Sequence, residues 1–262
     1  MNLLAIRTET RRYIAEKSSL ASYSTDADIS SYINEGIKDM CIKGRVYERV
    51  RSVTTLNGVA AYTLPLDFLS LHGILSASGN TATLTDASRV GALYIVTGKP
   101  LWYYIAQTTI TTLTRVNNTS YAFGDIVVPV TANGYLYEVT VTGVSAAAPP
   151  VYPTNPGTEV IDGTVSLVCR EMATSRYYIT FIDTPTTVGG GVGTYVLTYY
   201  ALDEGLWVDT DSPNFPQDKH HILVIFATFR HFYVMKDMTR ANAIYLEYSA
   251  ALGLQPPGQG GK

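Results

Sequence analysis

The chain has 262 residues, of which 46% are hydrophobic and 16% are charged, and its net charge is −3. This balance provides no overall positive field, which argues against a protein whose main function is to bind nucleic acid. The 20 tyrosines against 7 phenylalanines, with many threonines and valines, favour half-buried strands. Tyrosine also suits surfaces that become buried against partner proteins, so both explanations of its abundance stay open.

Two amphipathic helices are predicted at the start of the chain. The apolar stripe of the first has helical spacing and consists of Leu3, Ile6, Thr10, Tyr13 and Ile14. Its polar face carries Arg7, Arg11 and Arg12. The second helix begins at the N-cap Thr25, which is followed three positions later by the acidic Asp28, and its apolar positions run from Ile29 to Met40.

Strands follow the two helices. Asn57-Gly58 lies between segments 50–56 and 61–64, and this arrangement predicts a hairpin with a tight turn. Pro65 ends the hairpin because proline cannot donate a hydrogen bond to a neighbouring strand. Alternating or β-branched residues predict further strands over 71–76, 92–97 and 101–105.

The pattern of helices and strands predicted over residues 1–105 is then interrupted by segment 106–175, which has its own turns. Turn pairs at Gly124-Asp125, Asn133-Gly134 and Asp162-Gly163 separate short apolar runs. The segment is therefore predicted to be an inserted all-β module of three to five strands.

The pattern of residues 1–105, which we call the host of the inserted segment, resumes near Arg176. Strands are predicted over 177–182, ending before Pro185, and over 195–201. After Pro213 and Pro216, one helix is predicted from 217 to 238, and a second is expected to be capped by Thr239 and to run to about 252. The last residues, 255–262, are rich in glycine and proline and cannot fold alone, so we expect an extended arm.

The sequence thus predicts an α+β fold, with helices at both chain ends around a mostly antiparallel sheet and an inserted all-β module. The expected domains are a discontinuous core of 1–105 and 176–254, the module 106–175 and the arm 255–262.

No motif predicts a catalytic, cofactor or metal site. His220, His221 and His231 are predicted on one helix, but His231 is too far along the axis from the other two to share an ion with them. These histidines are therefore expected to be hydrogen-bonded inside the protein or to lie at an interface. An acidic loop could supply paired carboxylates for glycoside hydrolysis, although a solvated loop before a helix is the ordinary explanation; its members are Asp203, Glu204, Asp209 and Asp211. We therefore expect a protein that is not an enzyme and has no cofactor and no metal.

The cellular location follows from the cysteines and the apolar runs. Cys41 and Cys169 are expected to be free thiols in a reducing compartment. The longest apolar run, 222–229, is far shorter than a membrane span, and three arginines follow a short apolar start. The protein is therefore expected to be made in the cytoplasm without membrane contact.

Several motifs in a fixed order resemble the head-to-tail adaptor (connector) proteins of tailed bacteriophages, over residues 1–105 and 176–254. They are Ile33-Asn34-Glu35-Gly36, Gly58 followed by Tyr62-Thr63-Leu64-Pro65, Gly98-Lys99-Pro100 before an aromatic strand, and the strand 195–200. The inserted segment is similar to a small β module that recurs in phage virion proteins and is often described as carbohydrate-binding-like.

The resemblance implies a structural function. The chain would form a ring under the phage portal, join it to the tail and leave a channel for DNA. Implied partners are the portal protein, a tail component (nozzle or tube) and further copies of the chain in a cyclic ring, expected to be a dodecamer, while DNA passes without specific binding. The implied location is the neck or tail of the virion, assembled in the host cytoplasm.

Candidate residues follow from this interpretation. The expected portal-binding arm consists of Leu252, Leu254, Gln255, Pro256 and Pro257. The expected subunit interface contains Arg7, Arg11, Tyr13, Tyr32 and His231.

The sequence also leaves three competing functions open. The first is a glycan-binding virion decoration protein, in which sugar rings would stack on Tyr121, Tyr135, Tyr137 and Tyr152. Leu167 stands where such modules commonly have an aromatic residue, so contact with other proteins is preferred to sugar binding. The second function is that of a tail nozzle or tube component, and the third is that of a hydrolase that would use Asp209.

Overall fold

The structure is a computed structural model that describes residues 1–17, 24–76, 85–86, 102–182 and 192–254. The chain divides into two compact units. One combines Met1–Glu48 with Tyr200–Lys262 and is built of helices, and the other, Arg49–Tyr199, is built of strands. The predicted α+β fold, with helices towards both chain ends and mostly antiparallel strand pairs, is confirmed.

The helical unit has four α-helices and two short helical turns among its described residues. In chain order these are α1 (Leu3–Lys17), α2 (Asp26–Asp39), a π-helical turn (Met40–Gly44), a 3-10 turn (Gln217–Lys219), α3 (His220–Val234) and α4 (Met238–Ala251).

Helix α3 is the centre of the helical unit because it contacts α1, α2 and α4. Its side chains are buried around most of its circumference, including those of Ile222, Leu223 and Phe226. Gly36 on α2 permits a close approach, since a Cβ atom there would lie 2.8 Å from Cδ1 of Phe226. A helix that is apolar on nearly all sides is typical of a buried core helix.

The sequence predicted the start of α2 correctly, but it did not predict the end of α3 or the cap of α4. Thr25 and Asp28 form the predicted capping box. The prediction of one helix over 217–238 was wrong, because α3 ends at Val234 and Lys236 adopts φ +60°, which an α-helix cannot include. The cap of α4 is Asp237, whose side chain accepts a hydrogen bond from the Arg240 amide, and not Thr239.

The β unit contains fourteen strands among the described residues. They are β1 (Glu48–Thr54), β2 (Ala61–Thr63), β3 (Phe68–Ser76), β4 (Thr85–Asp86), β5 (Trp102–Thr109), β6 (Thr112–Thr114), β7 (Ser120–Tyr121), β8 (Ile126–Val128), β9 (Leu136–Val141), β10 (Gly143–Val144), β11 (Glu159–Asp162), β12 (Val165–Arg170), β13 (Ser175–Ile182) and β14 (Thr194–Ala201). The host strands form the sheets β1-β14-β3 and β2-β13-β5-β4.

The predicted hairpin at Asn57-Gly58 was wrong in its strand pairing. The turn exists, with Gly58 at φ +79°, but β1 and β2 belong to different sheets. Other partners take the backbone groups that a two-residue hairpin would pair. The Thr55 amide donates to the Gly193 carbonyl at 2.8 Å, and the Ala60 carbonyl accepts from the Phe181 amide at 2.9 Å. Competition from distant strands therefore overrides a local turn signal.

The strands that flank segment 106–175 run on into it. Strands β5 and β13 are antiparallel and pair from Trp102 with Ile182 to Thr109 with Ser175. Between them, seven strands form the sheet β11-β12-β9-β8-β6 and the ribbon β10-β7, more than the three to five strands predicted for this fully described segment. The division into host domain, inserted module and arm stays a prediction. The strand expected over 92–97 and the stop at Pro185 lie outside the described residues.

Candidate functional site

The β unit contains a buried cluster of charged residues that we call the ionic junction, made of Asp67, Glu138, Arg170 and Arg176. Glu138, on β9, is 1% exposed. It accepts hydrogen bonds from Nε and Nη2 of Arg170 at 3.0 and 2.9 Å, and its other oxygen lies 3.4 Å from Nη2 of Arg176. Buried charges are tolerated only when they are paired and hydrogen-bonded. Glu138 is thus the central acceptor of the ionic junction.

The ionic junction joins segment 106–175 to the host strands of the same unit. Arg176, on β13, donates to the carbonyls of Leu64 and Gly124, one on each side. The Leu66 amide donates to Glu138 at 3.2 Å. Asp67 pairs with Arg49 and lies 4.0 Å from Nη1 of Arg170. These bonds connect segment 106–175 to residues on either side of it in the chain, so they fix the position of that segment within the β unit.

Arg51 lies beside the ionic junction, and one of its guanidinium nitrogens has no hydrogen-bond partner among the described residues. Its guanidinium group is 4.0 Å from the centre of the Phe123 ring, a cation–π contact. Its Nη1 atom is buried and has no hydrogen-bond partner among the described residues, and burial lowers the pKa of Arg51. The contact with Phe123 is a second connection between segment 106–175 and strand β1.

A second buried ion pair lies inside segment 106–175. Arg115 and Asp162 form two parallel hydrogen bonds of 2.9 and 3.0 Å, and their side chains are 2% and 1% exposed. Arg115 also donates to the carbonyls of Ala146 and Ala148, and the hydrogen bond to Asp162 raises the pKa of Arg115. This pair ties the loop after β10 to the edge strand β11.

Two of the four tyrosines proposed as glycan contacts belong to the core of segment 106–175, and the other two pack against that core. Tyr121 and Tyr137 are buried at 4% and 0% exposure. The Tyr137 hydroxyl donates to the Pro153 carbonyl at 2.7 Å, and the Tyr152 ring lies 4.6 Å from the Tyr137 ring. Tyr135 and Tyr152 are partly buried against the same core cluster. A stacking platform for sugars needs exposed ring faces, and Tyr121 and Tyr137 do not offer them.

Four of the five predicted interface residues lie on α1 and α2 and have partly exposed side chains. Arg7 pairs with Asp209, and Arg11 pairs with Asp26 at 2.7 Å. The Tyr13 hydroxyl donates to Glu247 at 2.5 Å, and burial together with this bond raises the pKa of Tyr13 to about 12. Tyr32 is half-buried. These side chains are therefore held in defined positions on the helical unit.

The fifth predicted interface residue, His231, is 1% exposed and lies in the interior of the helical unit. Its Nδ1 atom lies 2.8 Å from the Ser24 hydroxyl, and its Nε2 atom is buried without a partner among the described residues. Burial lowers the pKa of His231, because a charged imidazolium loses its hydration there.

Acid should destabilise the protein in part through His231. The folded pKa is lowered, so the unfolded chain takes up the proton first, and this contribution to stability is present above the usual histidine pKa and lost as pH falls below it. Replacing His231 with Asn, which keeps a partner for Ser24, should reduce the loss of unfolding free energy between pH 7.5 and 5.0, measured by urea titration. The exposed His221→Asn is the matched control for the loss of an imidazole; equal behaviour of both variants would contradict the assignment.

The end of α4 leads into the predicted arm. Leu252 packs against Gly44 so closely that a Cβ atom there would lie 2.5 Å from Leu252 Cδ1. Gly253, at φ +75°, ends the helix, and the Leu254 amide donates back to the Ser249 carbonyl at 2.9 Å. The remaining arm residues, Gln255, Pro256 and Pro257, lie outside the described residues.

The acidic loop has structural partners for three of its carboxylates. Asp203 is 2% exposed and accepts from the Asn214 amide at 2.9 Å, and burial raises the pKa of Asp203. Asp211 accepts from the amides of Trp207 and Val208 at 2.7 and 2.9 Å. Asp209 holds Arg7. This arrangement closes the loop and anchors it to α1.

Sequence reasoning missed the ionic junction and a patch of exposed apolar side chains. Glu138 was visible as a lone carboxylate in an apolar strand, but no local signal identified its arginine partners. The exposed patch covers the end of α3 and the start of α4, where Tyr233, Val234, Met235 and Met238 are 38 to 50% exposed. It was hidden because this region was predicted to be one continuous helix. Large exposed apolar patches are typical of interaction sites.

Within the described ranges, no group of three or more histidine, cysteine or acidic residues could hold a metal ion. No helix in the described part of the chain is long and apolar enough to cross a membrane.

The arrangement is that of a scaffold with fixed internal ion pairs and exposed apolar surface. A comparison with curated proteins finds no match. The family model described as SU10 adaptor protein matches residues 1–261, which is nearly the whole chain and includes segment 106–175. The family is one of structural phage adaptors, and this chain belongs to the SU10 adaptor protein family.

Proposed function

We propose that the protein forms a ring under the phage portal and joins it to the tail, leaving a central channel for DNA. The observation that carries this proposal is the family match over residues 1–261, because an adaptor must contact a component on each side. Identical subunits that contact each other head to tail close into a ring when the rotation per subunit permits it.

The helical unit supports lateral contact between copies. It exposes large apolar side chains far beyond the α3–α4 connection, for example Leu4 at 49%, Ile42 at 60% and Leu246 at 52%. Single exposed apolar residues are normal, but several on one small unit favour burial against a partner. The β unit also exposes apolar side chains, for example Val130 at 77%, so we assign the ring contacts to the helical unit because its helices carry the residues expected at the subunit interface.

The channel requires a surface that lets DNA pass. A net charge of −3 provides no overall attraction for phosphates, and strong phosphate binding would hold the DNA in place. This charge balance is compatible with DNA passage without specific binding.

The β module is assigned to contact with other virion proteins. Two of its four candidate glycan tyrosines are core residues, which disfavours a sugar platform. The ionic junction holds the module firmly on its host strands, as a fixed contact surface requires.

We assign the portal contact to the arm that follows Leu254. Deleting residues 255–262 should abolish binding to purified portal in a sedimentation assay and leave the melting temperature unchanged, because Gly253 and Leu254 already complete the end of α4. A variant with residues 255–262 replaced by glycine and serine controls for length. Full portal binding by the shortened chain would overturn the assignment of the arm.

A further inference from the structure

The sequence contains two Asn-Gly pairs, Asn57-Gly58 and Asn133-Gly134, and both lie in connections between strands of the β unit. The two glycines have nearly the same backbone angle, with φ +79° at Gly58 and φ +86° at Gly134. A Cβ atom added at either glycine would meet no atom within 4 Å. The two pairs therefore do not differ in crowding at the glycine.

An asparagine that precedes glycine can lose its side-chain amide without an enzyme. The glycine nitrogen gives up its proton to hydroxide and attacks the side-chain carbonyl carbon of asparagine. A carbon–nitrogen bond forms, the bond to the side-chain nitrogen breaks, and ammonia leaves behind a cyclic imide. Water then opens the imide to aspartate or to isoaspartate, in which the main chain runs through the side chain. Glycine favours the attack because it has no Cβ atom beside its nitrogen.

The side chains of the two asparagines lie in different surroundings. Asn57 is exposed, whereas Asn133 is half-buried. The Asn133 Nδ2 atom donates to the hydroxyl of the buried Tyr137 at 2.6 Å, and its Oδ1 atom accepts from the Tyr135 amide at 3.3 Å. Formation of the imide at Asn133 would break both hydrogen bonds. The fold therefore protects this asparagine from the reaction.

The turn at Asn57-Gly58 is braced at its two ends. The Val59 amide donates to the Leu56 carbonyl at 3.2 Å. The Tyr62 hydroxyl accepts from the Leu56 amide at 2.7 Å and donates to the Val59 carbonyl at 2.9 Å. The attack requires the chain to rotate until the glycine nitrogen faces the asparagine side chain, and a turn held at both ends resists this rotation.

We propose that Asn57-Gly58 is a site of spontaneous deamidation whose rate is limited by the Tyr62 hydroxyl, and that Asn133-Gly134 is protected. Both products add a negative charge to the exposed turn. Isoaspartate also adds a methylene group to the main chain between Leu56 and Val59, so the brace no longer fits the turn. The modification thus changes both the charge and the backbone of this connection.

Peptide mapping by mass spectrometry tests the proposal on the full chain, incubated for days in mildly alkaline buffer. Asn57 should convert on the order of tenfold faster than Asn133, because two hydrogen bonds must first break at Asn133. An isoaspartate-specific methyltransferase with a labelled methyl donor should label the peptide that contains residue 57. No conversion at Asn57, or equal rates at the two asparagines, would overturn the proposal.

The same incubation in concentrated urea separates the effect of the fold from that of the local sequence. In the unfolded chain both asparagines are followed by glycine and neither is held, so their rates should become similar. If the ratio of the two rates stayed the same in urea, the fold would not be the cause of the difference, and the protection assigned to Asn133 would be wrong.

Tyr62→Phe tests the brace. This substitution keeps the aromatic ring, which lies 5.8 Å from the Phe181 ring, and removes only the hydroxyl. It should raise the conversion rate at Asn57 roughly two- to tenfold, the usual range for losing a hydrogen bond. The rate at Asn133 should not change. An unchanged rate at Asn57, or the same rise at both asparagines, would contradict the role given to Tyr62.

Discussion

Replacing Glu138 with Gln is expected to lower the free energy of unfolding of the β unit by about 3–5 kcal/mol, the usual cost of leaving buried charges unpaired. The substitution keeps the shape of the side chain but removes its charge. Arg170 and Arg176, which are 6% and 7% exposed, would then lose the charge of Glu138, and Asp67, 4.0 Å from Arg170, would compensate only part of it. Scanning calorimetry of the full chain should show the melting temperature of the β unit lowered by roughly 6–20 °C.

Glu159→Gln is the matched control for this substitution. Glu159 lies on β11 of the same sheet, but it is exposed. Removing its charge should therefore change the unfolding free energy by less than about 0.5 kcal/mol. If the two variants melted alike, the ionic junction would not stabilise the β unit as its geometry indicates.

The second large effect is expected at the Arg115–Asp162 pair. Arg115→Met or Asp162→Asn alone should each cost about 3–5 kcal/mol, because either change leaves the other buried group without its partner. The double variant should cost clearly less than the sum of the two, since no isolated charge then remains. Urea unfolding of the two single variants and the double variant gives this coupling energy directly.

The exposed pair between Arg11 and Asp26 is the control for this cycle. The same set of substitutions there should show small and nearly additive changes, because solvent screens an exposed pair. Additive losses at Arg115 and Asp162 would show that the two side chains contribute independently, contrary to their parallel hydrogen bonds.

Local signals predicted the helices at the start of the chain well. The stripe of Leu3, Ile6, Thr10 and Ile14 is buried as expected, and Thr25 with Asp28 begins α2. A helix start depends on residues within one turn of each other, so the sequence contains the necessary information.

Interactions between distant residues could not be predicted in the same way. Asn57-Gly58 forms a turn, but β14 and β13 compete for its flanking strands from more than a hundred residues away. Arg170 and Arg176 meet Glu138 only because three strands come together in space. The contact between Gly36 and Phe226 likewise depends on how α2 packs on α3.

The sequence predicted the class of protein, but it did not predict which candidate residues are exposed. The motifs 33–36 and 58–65 pointed to an adaptor, and the match over residues 1–261 identifies the adaptor family. His231, by contrast, lies in the interior, because an apolar helix gave no sign of which side chains face solvent. The exposed apolar residues among 233–238 were not predicted, because the helix was predicted to be too long.

Negative-stain electron microscopy of purified portal, with and without the protein, tests the central claim most directly. The account predicts an additional closed ring below the portal, with an open centre, only when the protein is present. A protein that remains a single particle in the presence of portal, or that binds it without forming a closed ring, would contradict the account.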